Sequence, residues 1–207
     1  MIKSIILCDG DIPDREKILS ELKDTDLFIA ADGGANRAYE LDLNPDIITG
    51  DFDSYIVTGK ENATVIKNSD QETNDLEKAL SIALKNNATD VIVFGATGKR
   101  VDHTLKNLSV LLQFNDMFRQ ISFKDQFSTL KIIESPFKEQ YPLHSSLSLI
   151  PLSGEVTGLT TRGLRYPLNN ESLKNGVRDG TSNETVEKNV EIEFKKGDLL
   201  LIMNHIG

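Results

Sequence analysis

Two carboxylates stand one residue apart in "TGDFDS" (49–54): Asp51 and Asp53, directly after the apolar pair Ile47-Ile48. In extended backbone, residues two apart project to the same side. Two ionised carboxylates about 4 Å apart repel by roughly 4 kcal/mol at an effective dielectric near 20. Full exposure to water can offset that cost, and so can a divalent cation. The question recurs along the first hundred residues, where Asp9 and Asp11, Asp32, Asp70 and Asp75, and Asp102 follow apolar runs of the strand type. Aspartate is also a common turn residue, so abundance alone decides nothing. Gathered at one edge, however, such a set is costly unless cations balance it. Mg²⁺ bound through one or two carboxylates plus substrate phosphates is the common solution. On this reading Asp51 and Asp53 form a metal-binding turn.

Two more stretches carry chemistry-bearing types. "DQETNDLEK" (70–78) admits two readings. Asp75 can favour a helix start through the dipole, with Lys78 a solvated neighbour. Alternatively Gln71 and Asp75 face a ligand crevice while Leu76 and Ala79 face the core. "GATGKRVDHT" (95–104) fails as a Walker A loop, which needs four residues between its glycines and Ser or Thr after Lys. Here two residues separate Gly95 from Gly98, and Arg100 follows Lys99. A glycine turn before a helix still presents N–H groups to an anion, and Lys99 or Arg100 could reach a phosphate. His103 is assigned a local hydrogen-bonding role.

The elements that must position these residues alternate in period. Strands are expected at 3–8, 26–32, 45–51, 63–69, 89–96 and 120–125, and helices at 14–24, 35–41, 74–86 and 104–114. The 74–86 helix has an apolar stripe of Leu76, Ala79, Leu80, Ala83 and Leu84, and Asn74 with Glu77 fits a capping pair. In the 104–114 helix the spacing turns Leu105, Leu108, Leu111 and Leu112 inward. Alternating strands and helices imply a mostly parallel sheet covered on both faces. Ligands of open α/β sheets bind outside the carboxyl ends of the strands, the edge to which the acidic loops belong. From about Ser128 the helical period stops, and short strand-like segments punctuated by Gly, Pro and Asn follow. The expected architecture is an α/β domain over 1–126 and a small all-β sandwich or barrel over 127–207.

Bulk properties narrow the function. Asp and Glu outnumber Lys and Arg by 32 to 23, a net charge of -9, which argues against general nucleic-acid binding. A phosphorylated small molecule remains compatible if a metal supplies positive charge. The longest apolar runs fall short of the ~20 residues that span a bilayer, and "MIKSIILCDGDIPDREK" lacks the pattern of a signal peptide. Cys8 is the single cysteine, which excludes an internal disulfide and multi-cysteine metal sites. A cytoplasmic location is expected, with no membrane partner.

Taken in order, "ADGGANRAYEL", "PDIITGDFDS", "DQETNDLEKAL", "GATGKRVDHTLKNL", "TTRGLRYPL" and "DGTSNE" resemble the thiamine pyrophosphokinase (thiamine diphosphokinase) family, from about Ile29 to Asn183. The resemblance implies an α/β catalytic domain that binds ATP and metal, then a β-sandwich that binds thiamine. It implies a homodimer with the thiamine site at the subunit interface, between the α/β domain of one subunit and the β domain of the other. The implied reaction moves pyrophosphate from ATP to the thiamine hydroxyl, giving thiamine diphosphate and AMP. By motif position it implies Asp51, Asp53, Asp75 and Asp102 as catalytic, and Asp51, Asp53 and Asp75 as Mg²⁺ ligands. Asp32, Gly33, Gly34, Gly95, Thr97, Lys99 and Arg100 are implied around ATP and its phosphates. Gln71, Thr181, Ser182 and Asn183 are implied on the thiamine side. The chain has no tryptophan, so stacking on thiamine would fall to Tyr166, a Phe or an aliphatic wall. Two other chemistries fit parts of the pattern. A haloacid-dehalogenase-like phosphatase also uses an Asp-x-Asp turn, but at the end of its first strand rather than the third. A non-catalytic thiamine or nucleotide sensor would bind without releasing AMP.

Overall fold

The computed structural model describes residues 1–55 and 62–205, and the chain divides into two compact units, Met1–Gln126 and Phe127–Gly207. The first unit alternates strand and helix as the hydrophobic periods require. It runs β1 (Lys3–Leu7), α1 (Arg15–Leu22), β2 (Leu27–Ala31), α2 (Gly34–Glu40), β3 (Ile47–Gly50), β4 (Thr64–Lys67), α3 (Asp75–Lys85), β5 (Asp90–Phe94), α4 (Val101–Phe114) and β6 (Gln120–Lys124). The strands lie in the order β6-β5-β1-β2-β3-β4, every pair parallel. In β1 and β2 every residue after the first is buried, as expected of parallel strands covered on both faces. Ile5, Leu7, Ile18, Phe28, Ala38, Leu43 and Phe94 pack into one core cluster drawn from β1, β2, β5 and the helices.

The chain leaves β1 toward β2, β3 and β4, then returns to place β5 on the other side of β1. That reversal creates a switch point at the carboxyl end of β1, where ligands bind in such sheets. Backbone bonds tie the loops there: Cys8 N–H donates to Phe94 O at 2.8 Å, Gly10 N–H to Gly95 O at 2.9 Å, and Asp11 N–H to Thr97 O at 2.8 Å.

Helix α3 starts with the expected capping box. Asn74 Oδ1 accepts from Glu77 N–H at 2.9 Å, and Glu77 Oε2 accepts from Asn74 N–H at 2.9 Å. Helix α4 departs from expectation in two ways. It starts at Val101, three residues early, which puts Asp102 in its first turn. Its buried residues are Asn107, Val110, Leu111 and Phe114, whereas Leu105 is 60% exposed and Leu108 and Leu112 are half-buried. The cause is polar. Asn107 donates to the Ala96 carbonyl at 2.8 Å and accepts from Asn74 Nδ2 at 2.9 Å, so its amide, not a leucine, fixes the helix rotation.

The second unit is antiparallel: β7 (Ser128–Ile133), β8 (Phe137–Gln140), β9 (Ser146–Pro151), β10 (Glu155–Arg162), β11 (Glu171–Lys174), β12 (Gly180–Glu184), β13 (Asn189–Glu193) and β14 (Leu199–Asn204). Strands β12-β9-β14-β7 form one layer and β11-β10-β13-β8 the other. Leu147, Leu149, Leu199 and Leu201 of the first layer pack against Val156, Leu159, Val190 and Ile192 of the second, which makes a sandwich. Strands β8, β11 and β12 carry no apolar alternation, so the residue pattern alone does not mark them. All three lie at the ends of their layers, where a strand needs ladder bonds to one neighbour and few buried side chains.

Because Asn74 both caps α3 and holds Asn107, Asn74→Ala is expected to destabilise the protein by about 1–2 kcal/mol. Urea unfolding followed by circular dichroism measures the loss, with an unchanged spectrum before the transition.

Candidate active site

A cavity of about 360 Å³ opens at the switch point. Its lining comes from the loop after β1 (Cys8–Gly10), the end of β2 (Ala31–Gly33), the turn after β3 (Asp53, Ser54), the start of α3 (Asn74–Leu76) and the loop after β5 (Gly95–Arg100), with His103 and Asn107 of α4. Cys8 is buried there, and its thiol is pushed up to about 12 by burial and by Asp75 and Asp9. Both influences favour the thiol over the thiolate.

At one side of this cavity Asp32, Asp51 and Asp53 offer carboxylate oxygens that all lie within 4.8 Å of one another. The local sequence explains how three acids from two strands meet. Any Cβ at Gly50 would sit 2.8 Å from the Cβ of Asp32, so glycine permits the close approach of β3 to the end of β2. Asp32 has a left-handed φ of 41°, its N–H bonded to Thr49 O at 2.7 Å, and Ser54 N–H donates to its Oδ2 at 3.2 Å. "GDFDS" is a bend, not extended backbone. Phe52 adopts a φ of 67° and packs edge-on to Tyr55 at 6.0 Å, in the cluster of Ala30, Ala35 and Ile48. With the phenyl ring anchored, Asp53 lines the cavity, and Asp51 lies next to it outside the lining. Asp53 N–H donates to Asp51 Oδ1 at 3.2 Å, and Ser54 Oγ to Asp53 Oδ1 at 2.7 Å.

The three acids differ in environment. Asp32 is 4% exposed, and burial together with Asp75 and Asp53 raises its pKa, against the lowering bond from Ser54. Its Oδ1 is buried with no hydrogen-bond partner among the described residues. Asp51 is held below the usual carboxylate range by the Gln71 amide and by Asp53 N–H, Gln71 Nε2 donating to Asp51 Oδ2 at 3.2 Å. A buried carboxylate oxygen left unpaired beside two further carboxylates is a costly arrangement. The oxygen-only donor set is the kind a hard divalent cation takes, so these residues fit one.

The family models match both units. "Thiamin pyrophosphokinase, catalytic domain" matches residues 18–123, and "Thiamin pyrophosphokinase, vitamin B1 binding domain" residues 133–199. The chain belongs to the thiamin pyrophosphokinase family. It is similar to thiamine pyrophosphokinase 1 of Oryza sativa subsp. japonica, at 31% identity over 80% of this chain and 74% of the relative. The thiamine pyrophosphokinase of Bacillus subtilis (strain 168) is 29% identical over 85% and 86%. The crystal structure of the thiamin pyrophosphokinase from Geobacillus thermodenitrificans superposes with a TM-score of 0.83 at 26% identity, covering 100% of this chain and 99% of that one. Like them, this chain is an enzyme of the thiamin pyrophosphokinase family.

Within that family frame the expected site residues separate. Asp32 joins Asp51 and Asp53, whereas Asp75 is outside the trio: it lines the cavity and pairs with Lys78 Nζ at 3.2 Å. Gly33, Gly95, Thr97, Lys99 and Arg100 line the cavity, the Thr97 hydroxyl donating to Asp125 at 2.8 Å. Gly34 does not. It is buried, and a Cβ there would meet the Leu7 carbonyl oxygen at 2.0 Å, so its role is the contact of α2 with β1. Asp102 is also outside the lining, its carboxylate 63% exposed and held by Arg100 at 2.5 Å and 3.1 Å. In the second unit, Asn183 is buried and its oxygen accepts from the Tyr166 and Glu184 N–H groups while its nitrogen donates to Tyr166 O. Its amide is a clamp on Tyr166, a residue 62% exposed, with the Arg165 guanidinium 5.9 Å from the ring centroid. Ser182 has a φ of 56° at a register shift in β12, and Thr181 bonds Asp179.

Three roles escaped sequence reasoning. Asp9 accepts from Lys99 at 2.8 Å and Arg37 at 3.1 Å. Asn107 braces the loop after β5, and the side chain of Lys78 is 3% exposed. The only sequence signal for Asn107 was an amide on the helix face that turned inward.

The Arg100 guanidinium holds the Asp102 carboxyl down at about 2. A depressed carboxyl pKa stabilises the folded state above the unfolded value and loses that contribution as pH falls toward 2. Asp102 is therefore expected to remain ionised at a pH of about 3. Carboxyl carbon NMR should also show Arg100→Ala moving its titration up toward 3.8.

Proposed function

We propose that this enzyme transfers the pyrophosphoryl group of ATP to the hydroxyl of thiamine, giving thiamine diphosphate and AMP. The observation that carries the reading is the convergence of Asp32, Asp51 and Asp53, with the unpartnered Asp32 oxygen buried among them. These three residues would hold Mg²⁺, which when bound supplies the charge neutralisation that phosphoryl-type transfer requires. Lys99 and Arg100, on the same cavity, contribute positive charge toward the phosphates. Asp75 lines the cavity outside the trio. Held by Lys78 and outside the metal seat, it is the carboxylate that would orient the thiamine hydroxyl and accept its proton, while Asp53 would serve the metal. The acidic rim also favours the cationic thiazolium. Gln71, braced on Asp51, faces the pyrimidine, Tyr166, fixed through Asn183, takes the place of a tryptophan in stacking, and Thr181 and Ser182 are further thiamine-side residues. The family resemblance supports a homodimer with the thiamine site completed at the subunit interface. Among the described residues no helix is long and apolar enough to cross a membrane, and the proposed location is the cytoplasm.

Incubation with ATP, Mg²⁺ and thiamine, followed by separation of products, is expected to yield thiamine diphosphate and AMP in equal amounts. Phosphate release without an ATP requirement would favour a phosphatase, and thiamine binding without AMP would favour a sensor. Asp51→Asn and Asp53→Asn are each expected to lower turnover by about a hundredfold or more, with the circular dichroism spectrum unchanged. Light scattering on the purified chain should return twice the 23.0 kDa chain mass.

A further inference from the structure

Lys78 occupies an unfavourable place for a lysine. It sits on α3 three residues after Asp75, with its side chain 3% exposed, whereas lysine is almost never fully buried unless paired. It lies near the helix N-terminus, where the dipole disfavours a cation. Its ammonium has three donors, and among the described residues its hydrogen bond goes to Asp75 Oδ1 at 3.2 Å. What offsets these costs is the negative field of the rim. Asp75, the ion-pair partner of Lys78, lines the cavity together with Asp32 and Asp53.

We propose that Lys78 is the resident counter-cation of the acidic rim and the positioning residue that holds the Asp75 carboxylate. The inference rests on the assignment of Asp32, Asp51 and Asp53 as the metal seat. Before metal binds, the buried ammonium offsets the mutual repulsion of the acids. Once metal is present, the two cations share one field and oppose each other. That opposition gives the role a sign that simple packing lacks. Removing the charge weakens the metal-free fold yet tightens Mg²⁺ binding, and it lowers kcat because Asp75 loses its anchor.

The test compares wild type, Lys78→Met and Lys78→Arg by thermal unfolding across a Mg²⁺ series without nucleotide, and by steady-state kinetics. Lys78→Met should lower the Mg²⁺-free Tm, and reduce the half-saturating Mg²⁺ concentration by about threefold or more. Its kcat should fall by about tenfold or more, with KM for thiamine within about twofold. Lys78→Arg, which keeps the charge, should restore the wild-type Mg²⁺ dependence. Superimposable Mg²⁺ series with unchanged kcat, or equal impairment in both variants, would overturn the proposal. If Lys78→Met does not fold, the Asp75→Asn/Lys78→Met double variant removes both charges of the pair. Recovery of folding supports the electrostatic role, and continued failure overturns it. A wild-type Tm indifferent to Mg²⁺ would sink the metal seat instead, and the Mg²⁺-free Tm and kcat of Lys78→Met then decide the role of Lys78.

Discussion

The structure is organised around a crowd of like charges at the carboxyl edge of a parallel sheet. Asp32 is the extreme case: a carboxylate almost out of water, one oxygen unpartnered, with Asp51 and Asp53 close by. Such an arrangement is unstable in isolation, so the surrounding fold must hold it rigidly. The Gly50 contact, the left-handed backbone of Asp32 and the Ser54 N–H bond do so.

A second tier of polar contacts fixes the loops that carry these groups. Asn74 caps α3 with its side chain and reaches Asn107, which in turn holds the Ala96 carbonyl. One chain of amides thereby ties the start of α3, the face of α4 and the loop after β5. The loop after β1 is joined to the same segment by three backbone bonds. The cations follow a similar logic. Lys99 and Arg37 share Asp9, Arg100 grips Asp102, and Lys78 lies under Asp75. Each of these cations is already matched to a carboxylate, so its position is set by the fold. Preorganised charge of this kind is the main resource for phosphoryl-type transfer.

Much of this was legible in the sequence. Period changes gave the strand and helix order of the first unit, because fully buried strands and amphipathic helices leave different apolar spacings. The capping pair Asn74 and Glu77 was readable because a cap is local. The motifs, in order, pointed to the family that the comparisons establish. The edge strands β8, β11 and β12 were not legible, since a strand bonded on one side needs few buried side chains and leaves little pattern.

The sequence by itself determined the alternating architecture, the placement of acids after strands and the family. Only the tertiary structure decided which acids meet. It brought Asp32 to Asp51 and Asp53, left Asp102 outside the cavity, buried Lys78 and turned Asn107 rather than Leu105 inward. The reason is geometric. Spacing along a chain reports which face of one element a residue occupies. Distances between loops depend on strand order, on a glycine contact and on polar bonds joining residues that lie far apart in sequence.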